Sequence, residues 1–202
     1  MKKIIVAISL ALVASCMSPI YAQQIREMGT TINKVTQTAT VGEFNDTKEA
    51  LSIVLTQKFM EAGLIKSKSA SNGFKVFNGV SWPEVSTETL DVYYKVTGKK
   101  NKATVEILIS KGYENFISSQ NDPAAIENVK HFISSLNLGL QNHNHNEKIK
   151  ETENLILKAQ KELDTRNKAV TKAQSGLEKA KKAVADQEKE MQTSKTQLLN
   201  LK

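Results

Sequence analysis

Between residues 30 and 138, the apolar residues change between the two-residue period of strands and the longer period of helices. Residues 30–42 are rich in Thr and Val, alternate partially, and predict one strand. Apolar residues from 51 to 64 recur at helical spacing and predict a helix. A capping box of Asp46 and Glu49 marks its start, and Gly63 marks its end.

Two hairpins are predicted next. Asn78-Gly79 stands between the apolar runs 74–77 and 80–82, and Asn-Gly is a strong hairpin signal because both turn residues tolerate positive φ. Pro83 cannot donate to a strand ladder, so the strand should end there. The second hairpin joins alternating strands over 90–96 and 105–109. This alternation predicts a sheet with one buried face and one wetter face.

A second helix is predicted to begin with Asp122 as its N-cap and Pro123 as its first residue, because proline lacks the N–H that a helix start leaves unbonded. An apolar stripe follows from Ile126 to Leu136. The element order predicts an α+β domain over residues 23–138, a two-layer sandwich of an antiparallel sheet and two helices.

The C-terminal part has a strict seven-residue apolar repeat, which predicts a coiled-coil helix over residues 149–202, preceded by a polar linker at 139–148. We call the eight a positions of this repeat the seam. Its residues are Ile149, Ile156, Leu163, Val170, Leu177, Val184, Met191 and Leu198.

The d positions of the repeat are mostly alanine or polar, so each heptad should associate more weakly than a leucine zipper. Gly176 disfavours helix by about 1 kcal/mol relative to alanine, which leaves a helical hairpin turning near Ser175-Gly176 as an alternative. One long helix is favoured, because a turn usually breaks the heptad phase and here the phase is kept.

The first 22 residues have the pattern of a secretory signal, with Lys2 and Lys3 ahead of a short apolar stretch. Cleavage is expected between Ala22 and Gln23, which would leave a mature chain without cysteine. Alternatively, Cys16 follows a lipobox-like sequence and would become the acylated first residue of a lipoprotein. Either route predicts an exported protein, periplasmic or associated with the cell envelope.

The formal net charge of +7 falls to +5 when the leader is removed. The excess lies in residues 147–202, with 13 basic and 9 acidic residues, and their mixture is typical of a solvated helix surface. A concentrated basic patch for nucleic acid is not predicted. Weak association with an anionic envelope surface is compatible with this charge.

Candidate chemistry is sparse. His143 and His145 alternate with asparagines and could bind a metal, but no third ligand lies nearby, so a polar linker is the preferred interpretation. Lone His131 suggests a structural role. Residues 110–113 lack the glycine spacing of a phosphate-binding loop and suggest a turn. No catalytic motif stands out, so we expect a protein that is not an enzyme and has no cofactor.

Three segments carry a resemblance to a known group of proteins: residues 76–80, residues 90–96 and residues 109–119. In these, the chain resembles exported, uncharacterised proteins of Bacteroidota, in which a small α+β domain precedes a charged coiled-coil tail. The resemblance would cover most of the mature chain. It implies architecture and location and supplies no catalytic residue.

The sequence therefore predicts a non-enzymatic interaction or scaffold protein of the envelope, whose tail self-associates or contacts a partner helix. The alternative is an exported module that binds a glycan, peptide or lipid, with the tail as a spacer.

Overall fold

The computed structural model describes residues 24–113 and 115–199, with side chains up to 196. They form an α+β fold with two helices and a six-stranded antiparallel sheet in the order β1-β2-β6-β5-β4-β3, which confirms the predicted class. The strands are β1 (Ile25–Ile32), β2 (Val35–Phe44), β3 (Lys68–Ser69), β4 (Lys75–Trp82), β5 (Ser86–Lys99) and β6 (Lys102–Ser110). The helices are α1 (Lys48–Glu61) and α2 (Pro123–Leu199), with a 3-10 turn at Ser71–Gly73.

The chain divides into two compact units, with the boundary between Asn144 and His145 inside α2. The first unit contains the sheet, α1 and the first part of α2. The second unit is the remainder of α2. The predicted leader, including Lys2, Lys3, Cys16, Ala22 and Gln23, lies outside the described residues.

The single strand predicted over residues 30–42 is wrong, because the structure has two strands there. β1 and β2 form a hairpin in which Ile32 pairs with Val35 across the two-residue turn Asn33-Lys34. Both turn residues have positive φ, 50° and 65°, as a type I′ turn requires. Lysine is unusual at the second of these positions, so the sequence concealed the turn.

The hairpin predicted at Asn78-Gly79 is also wrong. Both residues lie inside β4, where the pairing with β5 shifts between Phe77 and Val80. Gly79 has φ of +60°, and its N–H donates to the Asp91 carboxylate at 2.7 Å. The Asn-Gly step is therefore a β-bulge, for which glycine is favoured by the same positive φ that favours it in turns.

The strand end predicted at Pro83 is confirmed, since β4 ends at Trp82. The hairpin of β5 and β6 is confirmed as well, but its strands are longer than the alternating segments. They pair as far as Lys99 and Lys102, so only two residues form the turn.

Helix α1 is capped one residue later than the capping box predicts. The Thr47 hydroxyl accepts a hydrogen bond from the Ala50 N–H at 3.1 Å, and Asp46 accepts one from the Thr47 N–H at 2.8 Å. The predicted role of Gly63 is confirmed. Its φ is +78°, and the next N–H, of Leu64, donates to the Phe59 carbonyl at 2.8 Å, which closes the helix in a Schellman motif.

The main core joins both helices to the sheet. Phe59 of α1 packs against four aromatic rings contributed by β4, β5 and α2 at centroid distances of 4.9–5.9 Å. The predicted stripe of α2 is buried in the same core, with Val129, Ile133 and Leu136 essentially inaccessible. These contacts hold the first part of α2 on the sheet.

The face of the sheet that points away from the main core is more buried than predicted. A second cluster there contains Leu108 of β6 with four other buried side chains, Ile32, Ala39, Val41 and Phe74. The 3-10 turn also reaches across to the opposite end of the sheet, since Ser71 exchanges hydrogen bonds with Asn33 at 2.9 Å and Asn72 donates to the Thr31 carbonyl. The sheet is therefore strongly curled, which shields this second cluster.

The start of α2 is confirmed, because Asp122 accepts a hydrogen bond from the Ala125 N–H at 3.1 Å. The predicted linker at 139–148 differs from the structure, in which these residues are helical. Leu140 is buried, and Asn144 donates to the Asp46 carboxylate at 2.6 Å. Polar side chains alone do not end a helix when its buried face continues, so these residues are helical, although the boundary between the two units lies within the predicted segment.

Candidate interaction surface on the C-terminal helix

The second unit is one uninterrupted helix from His145 to Leu199, so the helical hairpin considered from the sequence is wrong. Ser175 and Gly176 both lie inside it. A Cβ added at Gly176 would meet nothing within 4 Å, which shows that no packed neighbour requires glycine there. The helix simply accommodates it at a cost of about 1 kcal/mol.

The seam is exposed along the whole described part of this helix. Its seven described side chains have exposed fractions between 54% and 60%, whereas large apolar side chains of the first unit are mostly buried. These seven are Ile149, Ile156, Leu163, Val170, Leu177, Val184 and Met191. The eighth, Leu198, lies beyond the described side chains. A periodic apolar surface of this kind is unusual on a solvated helix.

The seven-residue spacing also dictates how a second helix could cover the seam. Successive a positions drift by about 20° around a straight helix for each heptad, so the seam winds around the axis in a left-handed sense. A partner helix must wind with it to keep contact. Two supercoiled helices satisfy that requirement, and a flat apolar surface does not.

Arg166 is the charged residue among the d positions that should flank this contact. Its guanidinium pairs with Glu162 of the same helix at 2.6 Å. The charge is thus partly balanced within one chain, although it remains exposed. The neighbouring alanines at d, Ala159, Ala173 and Ala180, are also exposed and leave room for close approach of another helix.

The other residues singled out from the sequence do not converge on one site. His131 is exposed and lies 3.7 Å from Glu127, while His143 and His145 are two residues apart on α2 and therefore point in different directions. Within 24–113 and 115–199, no group of three potential metal ligands is present. Trp82 and Tyr94 are core residues, so they are not available for contact with a ligand.

Residues 110–113 form a turn, as predicted, with positive φ at Gly112 and Tyr113. Lys111 in this turn bridges Glu88 and Asp122 at 2.9 and 3.1 Å. These two carboxylates raise the pKa of Lys111, with Glu88 the larger cause. The Ala125 N–H and then Lys111 lower the pKa of Asp122. This arrangement ties the start of α2 to the end of β6.

A groove between α1 and α2, with a volume of about 300 Å³, could not be seen in the sequence, because its wall comes from three separate segments. Phe132 forms its apolar part, and the charged residues Lys58, Glu61, Glu84 and His131 line it. Lys58 and Glu61 are paired at 2.8 Å. Its volume lies at the lower end for small-molecule sites.

Comparison with protein-family models, curated proteins and solved structures finds no match to this chain. In the part of the chain that the structure describes, no helix combines the length and apolar character needed to cross a bilayer. The resemblance to exported Bacteroidota proteins and the predicted leader stay predictions.

Proposed function

We propose that this chain is a non-enzymatic interaction protein of the bacterial envelope, exported through its N-terminal leader, in which the seam pairs with the tail helix of a second copy. The observation that carries the proposal is the exposure of more than half of every described seam side chain. Water contact at seven regularly spaced large apolar residues is unfavourable, and another winding helix is the surface that fits them.

The strength of this pairing follows from the exposed area. Full burial of a large apolar side chain contributes about 1.5–3 kcal/mol, so burying the exposed half of each contributes about 1 kcal/mol. Seven seam residues on each of two helices then contribute about 14 kcal/mol, against an association cost of about 4–15 kcal/mol. The seam contribution therefore exceeds the lower value of this cost and about equals the upper one, so the extent of pairing should depend on protein concentration.

Within the first unit, we further propose the two-layer sandwich, with both helices covering one face of the sheet. The core shared by α1, α2 and the four strands β2, β4, β5 and β6 supports it. This unit would supply a folded head, and the helix would join heads into an assembly in the envelope.

Light scattering of the chain from residue 23 onward, over a range of concentrations, tests the pairing. Its mass should rise above that of a monomer as concentration increases. The seam variant L163E/L177E should stay monomeric, because paired glutamates would be buried without partners. The matched variant T165E/S175E, altered on the opposite side of the helix, should behave as the unmodified chain. A monomer at every concentration would refute self-association.

The groove beside Phe132 favours a second candidate function, a ligand-binding module in which the tail is a spacer. A glycan array probed with the chain from residue 23 tests it. Specific binding that Glu84→Lys abolishes would favour this candidate, since Glu84 lines the groove and is exposed. Binding that is unaffected by this substitution, or the absence of binding, would count against it.

A further inference from the structure

Four of the lysines on the tail helix lie on one side of it, opposite the seam. On a helix with 100° per residue, Lys161, Lys168, Lys172 and Lys179 fall within about 40° of arc, directly opposite Val170. All four are exposed. They extend over about 27 Å along the helix axis, since 18 residues at 1.5 Å each separate the first from the last. We call these four residues the lysine row.

The lysine row itself contains no acidic residue, and only Asp164 lies at its edge, four residues before Lys168. Between residues 158 and 182 the acids are Glu162, Asp164 and Glu178, and each lies at least about 60° around the helix from the centre of the row. Glu162 pairs with Arg166 at 2.6 Å, and Glu178 pairs with Lys181 at 3.3 Å. Two of the three acids are thus engaged by basic residues outside the row.

The surroundings of the lysine row indicate what kind of anion it fits. Residues 145–202 contain no Phe, Tyr or Trp, so the tail offers no ring on which nucleic-acid bases could stack. The row also lacks arginine, whose planar fork favours specific paired contacts with phosphate. Lysine ammoniums in a straight line act as point charges, and a flat surface can touch all four at once.

We infer that the lysine row binds the surface of an anionic phospholipid membrane and holds the tail helix along it. The row faces away from the seam, so the inference does not rest on self-association. A helix pair joined at the seams would still present its lysine rows outward. The ligand is the phosphate-bearing surface, recognised by charge without insertion of apolar side chains.

Co-sedimentation with vesicles tests this inference, using the chain from residue 23 onward. Vesicles of phosphatidylcholine containing phosphatidylglycerol should bind the chain, and vesicles of phosphatidylcholine alone should not. Each lysine close to an anionic surface should strengthen binding about fivefold. Replacing the row by glutamine, as K161Q/K168Q/K172Q/K179Q, should therefore weaken binding several hundred-fold. High salt should have a similar effect.

A matched control removes two charges from positions beside the seam, as K148Q/K195Q, and is compared with the row variant K168Q/K172Q, so that the ion pairs of Glu162 and Glu178 stay intact in both. It should bind anionic vesicles much more tightly than the row variant does. Equal loss in both variants would show that only net charge matters and would overturn the inference, as would failure to bind phosphatidylglycerol vesicles. Preferential binding to soluble polyphosphate, with displacement from vesicles, would also overturn it. Light scattering of the row variant measures its self-association, so a failure of membrane binding can be distinguished from a failure of pairing through the seam.

Discussion

Two glycines of the same helix should respond with opposite signs to the same substitution. A Cβ added at Gly139 would lie 2.5 Å from Cγ1 of Val54, whereas one added at Gly176 would meet no atom within 4 Å. Carbon atoms normally approach to about 3.5–4.0 Å, so Gly139→Ala must separate α1 and α2 by roughly 1 Å. Val54 is branched at Cβ and only 4% exposed, so it cannot rotate away.

For Gly139→Ala, the cost of overpacking exceeds the gain in helix propensity. Alanine gains about 1 kcal/mol over glycine in a helix interior. Overpacking of a rigid core costs about 1–3 kcal/mol, and the immobility of Val54 places this case near the upper value. Gly139→Ala should therefore lower the free energy of unfolding by about 2 kcal/mol. Gly176→Ala should stabilise the tail helix by about 1 kcal/mol, because only the helix propensity changes there.

Two probes separate these effects in one urea titration. Trp82 is the single tryptophan and lies in the core, 4.9 Å from Phe132 of α2, so its fluorescence reports on the first unit. Circular dichroism at 222 nm reports mainly on the helices. Gly139→Ala should lower the midpoint of the fluorescence transition by about 1 M, given a typical urea slope of roughly 2 kcal/mol/M. Gly176→Ala should leave that midpoint unchanged. A higher fluorescence midpoint for Gly139→Ala would refute the close packing of α1 and α2.

Two further substitutions test local features of the first unit. Asp122→Ala should lower the free energy of unfolding by about 1 kcal/mol at neutral pH through loss of the helix cap. Because the pKa of Asp122 is lowered in the folded state, the stabilisation by Asp122 is complete above the ordinary value of 3.8 and disappears as the pH falls through the lowered value. The urea midpoints of the variant and the unmodified chain should therefore converge in acid. A constant difference at all pH values would contradict this. Lys34→Gly should stabilise the β1–β2 hairpin by about 0.5–1 kcal/mol, because glycine adopts the observed φ of 65° without strain. Lys99→Gly is the control: Lys99 is the last residue of β5, so glycine there should lower the free energy of unfolding.

The elements that sequence predicted well have periodic signals and chemically specific ends. The α1 stripe with Gly63, the Asp122-Pro123 start and the alternating β5–β6 hairpin belong to this group. Errors arose where one residue type serves two structures. Asn78-Gly79 suits a bulge as well as a turn, and Asn33-Lys34 adopts a turn conformation that usually calls for glycine.

Contacts between segments that are far apart in the sequence could not be predicted from sequence patterns. The contact of Gly139 with Val54 and the bond between Asn144 and Asp46 depend on how α2 packs on α1. Both extend the first unit as far as Asn144, into the polar residues that resembled a linker. The seam itself was visible as a seven-residue repeat, because a single helix needs only its own sequence to place those side chains on one winding stripe.

Photo-crosslinking of the purified chain tests the central claim, that a second copy covers the seam. A benzophenone amino acid is placed at Leu163 or Leu177 of the chain from residue 23 onward, and at Ser175 on the far side as a control. We expect covalent dimers from the two seam positions, with attachment sites in the tail of the other copy, and few from Ser175. Dimers that form equally from all three positions, or from none at high protein concentration, would contradict pairing through the seam.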